Sequence, residues 1–444
     1  MVDVLFVHNN FPGQFGFLAE ALTSQGARCA AIASGTGREL PGVPVARWRT
    51  RRGSTKGIFD PATRAEADLI RAYAAAECAL NLKKQGFDPD LIIGHPGWGE
   101  TLLMREIFPG AKQILHGEYY YRSTGGDVGF DPEFGALRPE DAFRIHAKNA
   151  TMALAYAEAD RIVCPTPFQA SRFPSVFHSR IAVIHEGIDT QRVKRDPDAT
   201  LRLTNGRVLD RSKPVITFIN RRIEPLRGFH IFMRALPPVL AQVPDAEVVL
   251  IGADEPGGYG HAAPQGTTWK RHILAEVKDQ LDAKRVHFTG RLPYDQMLAA
   301  LSISAAHVYY TYPFVLSWSL LEAMASECLI IGSDTAPVRD VIENGVNGLL
   351  FDFFDVEALS DALIQACCSP EIHLPLRQAA RETVLARFDR DRLCRPAWLR
   401  LIKQVEPSPV QQAPSDLKME NLKGYTMRRP ERDLTGQPAD EQHH

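Results

Sequence analysis

Short apolar runs, each closed by polar or glycine residues, recur along the chain. The first set covers residues 4–7, 29–33, 91–93, 113–115, 161–164 and 181–184. The second covers residues 215–219, 248–251, 286–288, 306–310, 329–331 and 349–351. Runs this short, apolar at consecutive positions, suit strands buried on both faces of a parallel sheet. Segments of helical length lie between them, such as 15–25, 61–84 and 227–242. Strand alternating with helix is the doubly wound α/β pattern, and here it runs through twice.

The break between the two rounds falls in a polar, charged stretch without a strong apolar period. The expected organisation is a first domain at 1–187, a linker at 188–209 and a second domain at 210–385. A C-terminal helix at 386–405 follows, carrying Trp398. The tail 406–444 has five prolines and few large apolar residues, so it is expected to be disordered or draped on the surface. Two such sheets facing each other set their strands' C-terminal ends along a shared cleft, where open α/β folds bind ligands.

Composition narrows the function classes. Across 444 residues, 51 Lys and Arg stand against 53 Asp and Glu, a formal charge of -2. A general nucleic-acid-binding chain is normally clearly basic, so no nucleic-acid partner is expected. The seven cysteines include no C-x-x-C pair, which argues against a zinc site or a disulfide framework. The first apolar run passes at once into His8-Asn9-Asn10, unlike a secretory leader, and a cytoplasmic chain is expected. One dense basic run, Arg47 through Arg52 with Lys56, offers a peripheral membrane contact; its plain alternative is a solvated loop.

Two segments carry the chemistry. In 310–352 a strand ends near Tyr310 and a helix begins near Ser317 to Ser319. A helix start presents free N–H groups and a positive dipole end, which together hold a phosphate. Glu322, one turn in, can accept from the two hydroxyls of a ribose; the alternative is that Ser319-x-x-Glu322 is a capping box. In 218–234, Arg222 and Arg227 flank a turn at a strand's C-terminal end, a placement suited to a diphosphate.

With these residues in view, the chain resembles the family 4 retaining glycosyltransferases. Arg222 to Gly228 is similar to the family's R-L-x-x-x-K-G motif, and VIHEGIDT at 183–190 to its V-I-x-N-G-V-D-T crossover. SLLEAMA at 319–325, followed by Val338-Arg339-Asp340 and Gly345-x-x-Gly348, resembles its donor-site run. The resemblance implies a GT-B fold, two Rossmann-like doubly wound domains facing a cleft. It implies transfer of a sugar from a nucleotide diphosphate sugar, a UDP-sugar rather than a GDP-sugar, to a hydroxyl acceptor such as a glycan or glycolipid precursor. Retention comes with it; because Arg222, Arg227 and the helix start neutralise charge on the departing diphosphate, no metal is expected, and no cofactor.

By the same resemblance, Arg222 and Arg227 grip the donor diphosphate, Glu322 holds the ribose, and Leu316, Ser317, Trp318, Ser319 and Leu320 meet phosphate and sugar. Gly290, Arg291 and Leu292 sit where the nucleobase lodges. Gly13 and Gln14 match the first-domain loop near the diphosphate, and His116 the histidine that touches the donor sugar. His95, Tyr119 and Tyr120 are acceptor-side candidates. One position departs from the pattern: where the family carries a first glutamate, eight positions before Glu322, this chain has Phe314. The rival readings are a sugar-nucleotide epimerase or phosphorylase on the same fold, and a non-catalytic two-domain sugar-binding protein.

Overall fold

The computed structural model describes residues 2–405, so the expectation for the tail at 406–444 lies outside the described residues. Seven parallel strands form the first sheet: β1 (Asp3–Val7), β2 (Arg28–Ala33), β3 (Val45–Arg47), β4 (Leu91–Gly94), β5 (Lys112–His116), β6 (Arg161–Cys164) and β7 (Ile181–Val183). Their order is β3-β2-β1-β4-β5-β6-β7. A short antiparallel hairpin, β8 (Leu201–Arg202) with β9 (Val208–Leu209), occupies the linker. The second sheet holds β10 (Val215–Arg222), β11 (Glu247–Ala253), β12 (Val286–Gly290), β13 (Ser304–Tyr309), β14 (Leu329–Ser333) and β15 (Leu349–Phe351), in the order β12-β11-β10-β13-β14-β15. Two Rossmann-like domains facing each other make this the GT-B architecture.

Alternation along each strand explains the continuous apolar runs. Val4 and Phe6 enter a core cluster with Leu18 and Ile93, while Leu5 and Val7 enter another with Ala75, Ala79 and Ile92. In β11, Val248 and Leu250 face one cluster and Val249 and Ile251 the other. Each fully buried side chain of this kind contributes about 1.5–3 kcal/mol, so a strand covered on both faces is fixed in place.

The chain crosses between domains twice. Ile188 receives the Arg390 N–H at 2.9 Å and donates its own to Phe388 at 2.8 Å, stitching the two crossings together. The last helix, Arg395–Gln404, then packs Trp398 and Leu401 into the first domain's core. In sequence the final helix follows the second domain; by packing it belongs to the first.

The order reverses between β1 and β4 in one sheet and between β10 and β13 in the other. Loops leaving strands at such reversals diverge and open a crevice. Four loops enter the cleft this way: residues 8–13, 95–99, 223–228 and 310–317. Among the described residues no helix is long and apolar enough to cross a membrane.

Candidate active site

Three adjacent strands of the first sheet each end in a histidine. His8 follows β1, His95 follows β4 and His116 closes β5. The His8 and His95 rings lie 5.4 Å apart, and the His95 and His116 rings 5.2 Å apart. Burial pulls His8 down to about 3 and His116 down to about 4, so both are neutral at pH 7. His8 Nδ1 accepts the Asn10 N–H, which leaves Nε2 to donate to Gln14 Oε1 at 2.7 Å. Gln14 is thereby aimed by its own loop. Gly13 sits at φ 47°, and a Cβ there would lie 2.5 Å from the His8 ring, so the loop requires glycine.

His116 is buried and reaches no open space itself. Its Nε2 lies 3.3 Å from Glu186 Oε1. Glu186 Oε2 accepts from Trp318 Nε1 at 3.4 Å, across the interdomain gap. Burial raises the Glu186 carboxyl above the usual carboxylate range. His95 stacks on Trp98 at 4.5 Å and points Nε2 at Glu118, 3.3 Å away.

On the second domain, the helix Trp318–Ala325 is capped by Ser317, whose hydroxyl accepts the Ser319 N–H at 3.3 Å. Ser317 N–H in turn donates to the Tyr309 hydroxyl at 2.7 Å. Glu322 does not reach back to close a capping box. It accepts from the Tyr294 hydroxyl at 2.7 Å, and burial raises its carboxyl. Leu316 is half-buried and Leu320 is fully buried in the core, so only backbone at Leu320 is available to a ligand.

Arg227 is nearly buried and braces the loop before that helix, donating to Thr311 Oγ1 and to the Val315 carbonyl, each at 2.9 Å. The turn carrying it depends on Gly228, at φ 72° with Tyr310 Cβ 2.3 Å from any added Cβ. Arg222 lies 3.6 Å from Glu255, which also pairs with Arg291 at 2.9 Å. Gly290 closes β12 and Leu292 is half-buried beside it.

Two cavities result. One, about 200 Å³, is lined by Gly13 and Gln14 from the first domain, by Tyr294, Trp318 and Glu322 from the second, and by Glu186 between them. The other, about 270 Å³, is lined by His95, Trp98, Glu118, Tyr119, Tyr259 and Phe314, among others. Of the residues expected from sequence, Gly13, Gln14, Trp318 and Glu322 meet in the first cavity, and His95 and Tyr119 in the second. Tyr120 lines neither; it packs against Phe173 and Phe177. His116, Arg222 and Arg227 line neither cavity: His116 meets the lining residue Glu186 and Arg227 the lining residue Val315, while Arg222 faces Glu255.

Phe314 packs on Tyr119 at 4.8 Å and on Tyr259 at 5.2 Å, with the Arg227 guanidinium 5.7 Å from its ring. The glutamate position is thus filled by an aromatic wall. Besides Glu322, the carboxylates lining the two cavities include Glu118 and Glu186. Sequence reading passed over both as roles, although Glu186 stands where the crossover motif carries asparagine. It also missed His8, whose signal was the recurrence of an apolar run ending in histidine.

The loop after Tyr119 does not hang free over the cleft. Tyr119 donates to the Pro313 carbonyl at 3.0 Å, and Phe130 packs on Tyr312, Phe353 and Phe354. Asp131 accepts from the Tyr312 hydroxyl at 2.6 Å and meets His230 Nε2 at 2.9 Å. Asp131, Glu133 and His230 bring potential ligand atoms within 4.8 Å of one another, but Arg234 already pairs with Glu133 at 2.6 Å. This cluster is a polar joint between domains.

Comparisons with known proteins converge on these two domains. The family described as "Glycosyl transferase family 4 group" matches residues 25–193, and "Glycosyl transferases group 1" matches residues 213–368. A GDP-mannose-dependent alpha-(1-6)-phosphatidylinositol monomannoside mannosyltransferase of Mycolicibacterium smegmatis is 25% identical over 247 residues, 51% of this chain and 58% of that protein. A D-inositol 3-phosphate glycosyltransferase of Nocardioides sp. is 26% identical over 239 residues, 51% of this chain and 49% of that protein. The chain thus spans about half the length of the curated relatives it matches. Sucrose-phosphate synthase from Thermosynechococcus elongatus shares the fold at TM-score 0.69 and 18% identity, covering 91% of this chain and 99% of that one. HepE of Anabaena, solved with UDP and glucose, does so at 0.62 and 15%, covering 91% and 100%. With a glycosyltransferase family on each domain and the GT-B fold joining them, the chain belongs to the family 4 glycosyltransferases.

Proposed function

We propose that this protein moves a sugar from a nucleoside diphosphate sugar to a hydroxyl acceptor, with retention at the anomeric carbon and without a metal. The carrying observation is the smaller cavity, where the Gly13–Gln14 loop of one domain faces Trp318 and Glu322 of the other with Glu186 between them. A nucleotide ribose fits against Glu322, and the diphosphate against the Ser317-capped helix start with the charges of Arg222 and Arg227. These cations stabilise negative charge as it grows on the departing diphosphate. The acceptor oxygen bonds to the anomeric carbon as the bond from that carbon to the phosphate oxygen breaks. The acceptor's proton passes to the released diphosphate.

His116, neutral and buried, acts through Glu186 in this reading. It holds that carboxyl toward the donor, with Trp318 fixing the other oxygen. Glu118 and Glu186 supply the hydroxyl acceptors that Phe314 cannot. The second cavity, walled by Trp98, Tyr119 and Tyr259, suits the acceptor.

The donor base is open between relatives named for GDP-mannose and a fold neighbour holding UDP. A uridine donor remains the expectation, and a glycolipid or glycan precursor the expected acceptor class. In the basic run, Arg47, Arg51 and Arg52 pair with Glu39, Glu77 and Glu66. Arg49 and Lys56 are exposed and enter no ion pair among the described residues, so membrane contact there would rest on two cations. The test is product analysis by NMR with UDP- and GDP-sugars in chelator. An axial donor giving an axial glycoside supports the reading. Inversion, or release of an isomerised nucleotide sugar, overturns it.

A further inference from the structure

A third cavity, about 490 Å³, opens at the opposite end of the second sheet from the cleft. It is lined by residues at the strands' N-terminal ends, among them Pro214 before β10 and Ser304 opening β13. The eight residues of β10 separate it from Arg222, a span of about 25 Å at ~3.3 Å per residue. It is therefore no part of the site described above.

Its walls carry four cations, Arg195, Arg211, Lys213 and Arg377, against one carboxylate, the exposed Glu371. Lys213 pairs with Asp245 at 3.2 Å. The three arginines enter no ion pair among the described residues. Arg377 is only 5% exposed, and its guanidinium is held by two backbone carbonyls, Glu327 at 2.7 Å and Ser304 at 3.0 Å. Arg211 donates to the Pro197 carbonyl. Arg195 Nε is buried with no hydrogen-bond partner. Burial first, and the Arg195 charge next, lower Arg377 from the usual arginine range, so the cations feel one another.

The helix Leu374–Arg387 starts at this cavity, with no acidic residue in its first turn and no side-chain cap. Its positive end adds to the arginines. Guanidinium groups left without carboxylates and oriented by backbone carbonyls are suited to bidentate phosphate recognition.

We propose that this cavity is a second ligand site, for a small phosphorylated anion, distinct from the donor site in the cleft. Inorganic diphosphate is the probe, and because it also suits the cleft, the readout must localise it. Hydrogen-exchange mass spectrometry on the full chain does so. Diphosphate at millimolar concentration is expected to protect segments 209–216 and 370–378 in the parent protein. Arg195→Gln with Arg211→Gln, both outside the core, is expected to abolish that protection while leaving the melting temperature and any protection at 222–228 and 315–320 unchanged. Absence of protection at 209–216 and 370–378, or the same protection in the double variant, overturns the proposal. The cleft segments report separately, so its failure leaves the transferase reading intact.

Discussion

At the scale of single residues, charge and burial decide the chemistry. In the proposed function Arg222 donates to the diphosphate, so Arg222→Ala removes a charged donor, and hydrogen bonds to charged groups are worth about 1.5–3 kcal/mol. The rate should fall at least ~10-fold with the melting temperature unchanged, read by steady-state kinetics; parent turnover would exclude Arg222 from the mechanism. Glu100 makes a different prediction. It is fully buried, both carboxylate oxygens lack partners, and burial raises it to about 7. A carboxyl raised in the folded state is harmless below its unfolded value, and its ionisation costs stability as pH rises toward the folded value. Unfolding free energy should therefore decline between about pH 4.5 and 7, by about 3 kcal/mol if this group acts alone. Glu100→Gln should flatten that decline in urea titrations at several pH values, and an unchanged slope would contradict the assignment. At this scale the sequence was only partly legible. Gly13, Gln14, Trp318 and Glu322, named from the family resemblance, line one cavity together. Glu186 and His8 were not so named: strand adjacency brings His8 beside His95, and the crossover after β7 carries Glu186 to His116 and Trp318.

At the scale of elements, apolar runs were a good guide because strands covered on both faces leave little room for polar residues. Twelve of the strands follow directly from the runs. The exception in the first sheet is β3, an edge strand whose Val45-Ala46-Arg47 runs into the basic stretch and is only half-buried. The helix Phe229–Gln242 formed despite Pro237 and Pro238, since its buried face packs Phe229, Phe232, Met233 and Leu236 into the core. Packing outweighs the lost backbone bonds there. The capping box predicted as an alternative at Ser319 failed because Ser317 already caps the helix and Tyr294 claims Glu322. The turn carrying Arg227 gives the element-level test. Gly228→Ala forces a left-handed residue costing about 1–2 kcal/mol, before the clash with Tyr310 is counted. Calorimetry should show a melting temperature lower by several degrees, with reduced transfer activity. Unchanged stability would mean that the turn relaxes and the Arg227 placement is less constrained than described.

At the scale of the whole molecule, two reversals of strand order set four loops into one cleft, and two chain crossings stitched at Ile188 hold the domains in register. The doubling of the α/β pattern was readable, since it repeats the same periodicity. The interdomain joint was not. Phe130 and Asp131 look like ordinary loop residues until the second domain supplies Tyr312 and His230, and Tyr119, an acceptor-side candidate in sequence, also reaches across to the Pro313 carbonyl. In the proposed function a nucleotide binds between Glu322 and the Ser317-capped helix start without a metal. The most direct test is a thermal-shift titration of UDP and GDP in chelator, on the parent protein and on Glu322→Ala. A nucleotide at about 100 times its dissociation constant adds about 2.7 kcal/mol, a shift of several degrees. One of the two nucleotides is expected to raise the melting temperature of the parent in chelator, and Glu322→Ala to lose most of that shift. No shift with either nucleotide, or a shift that appears only with added Mg²⁺, would contradict it.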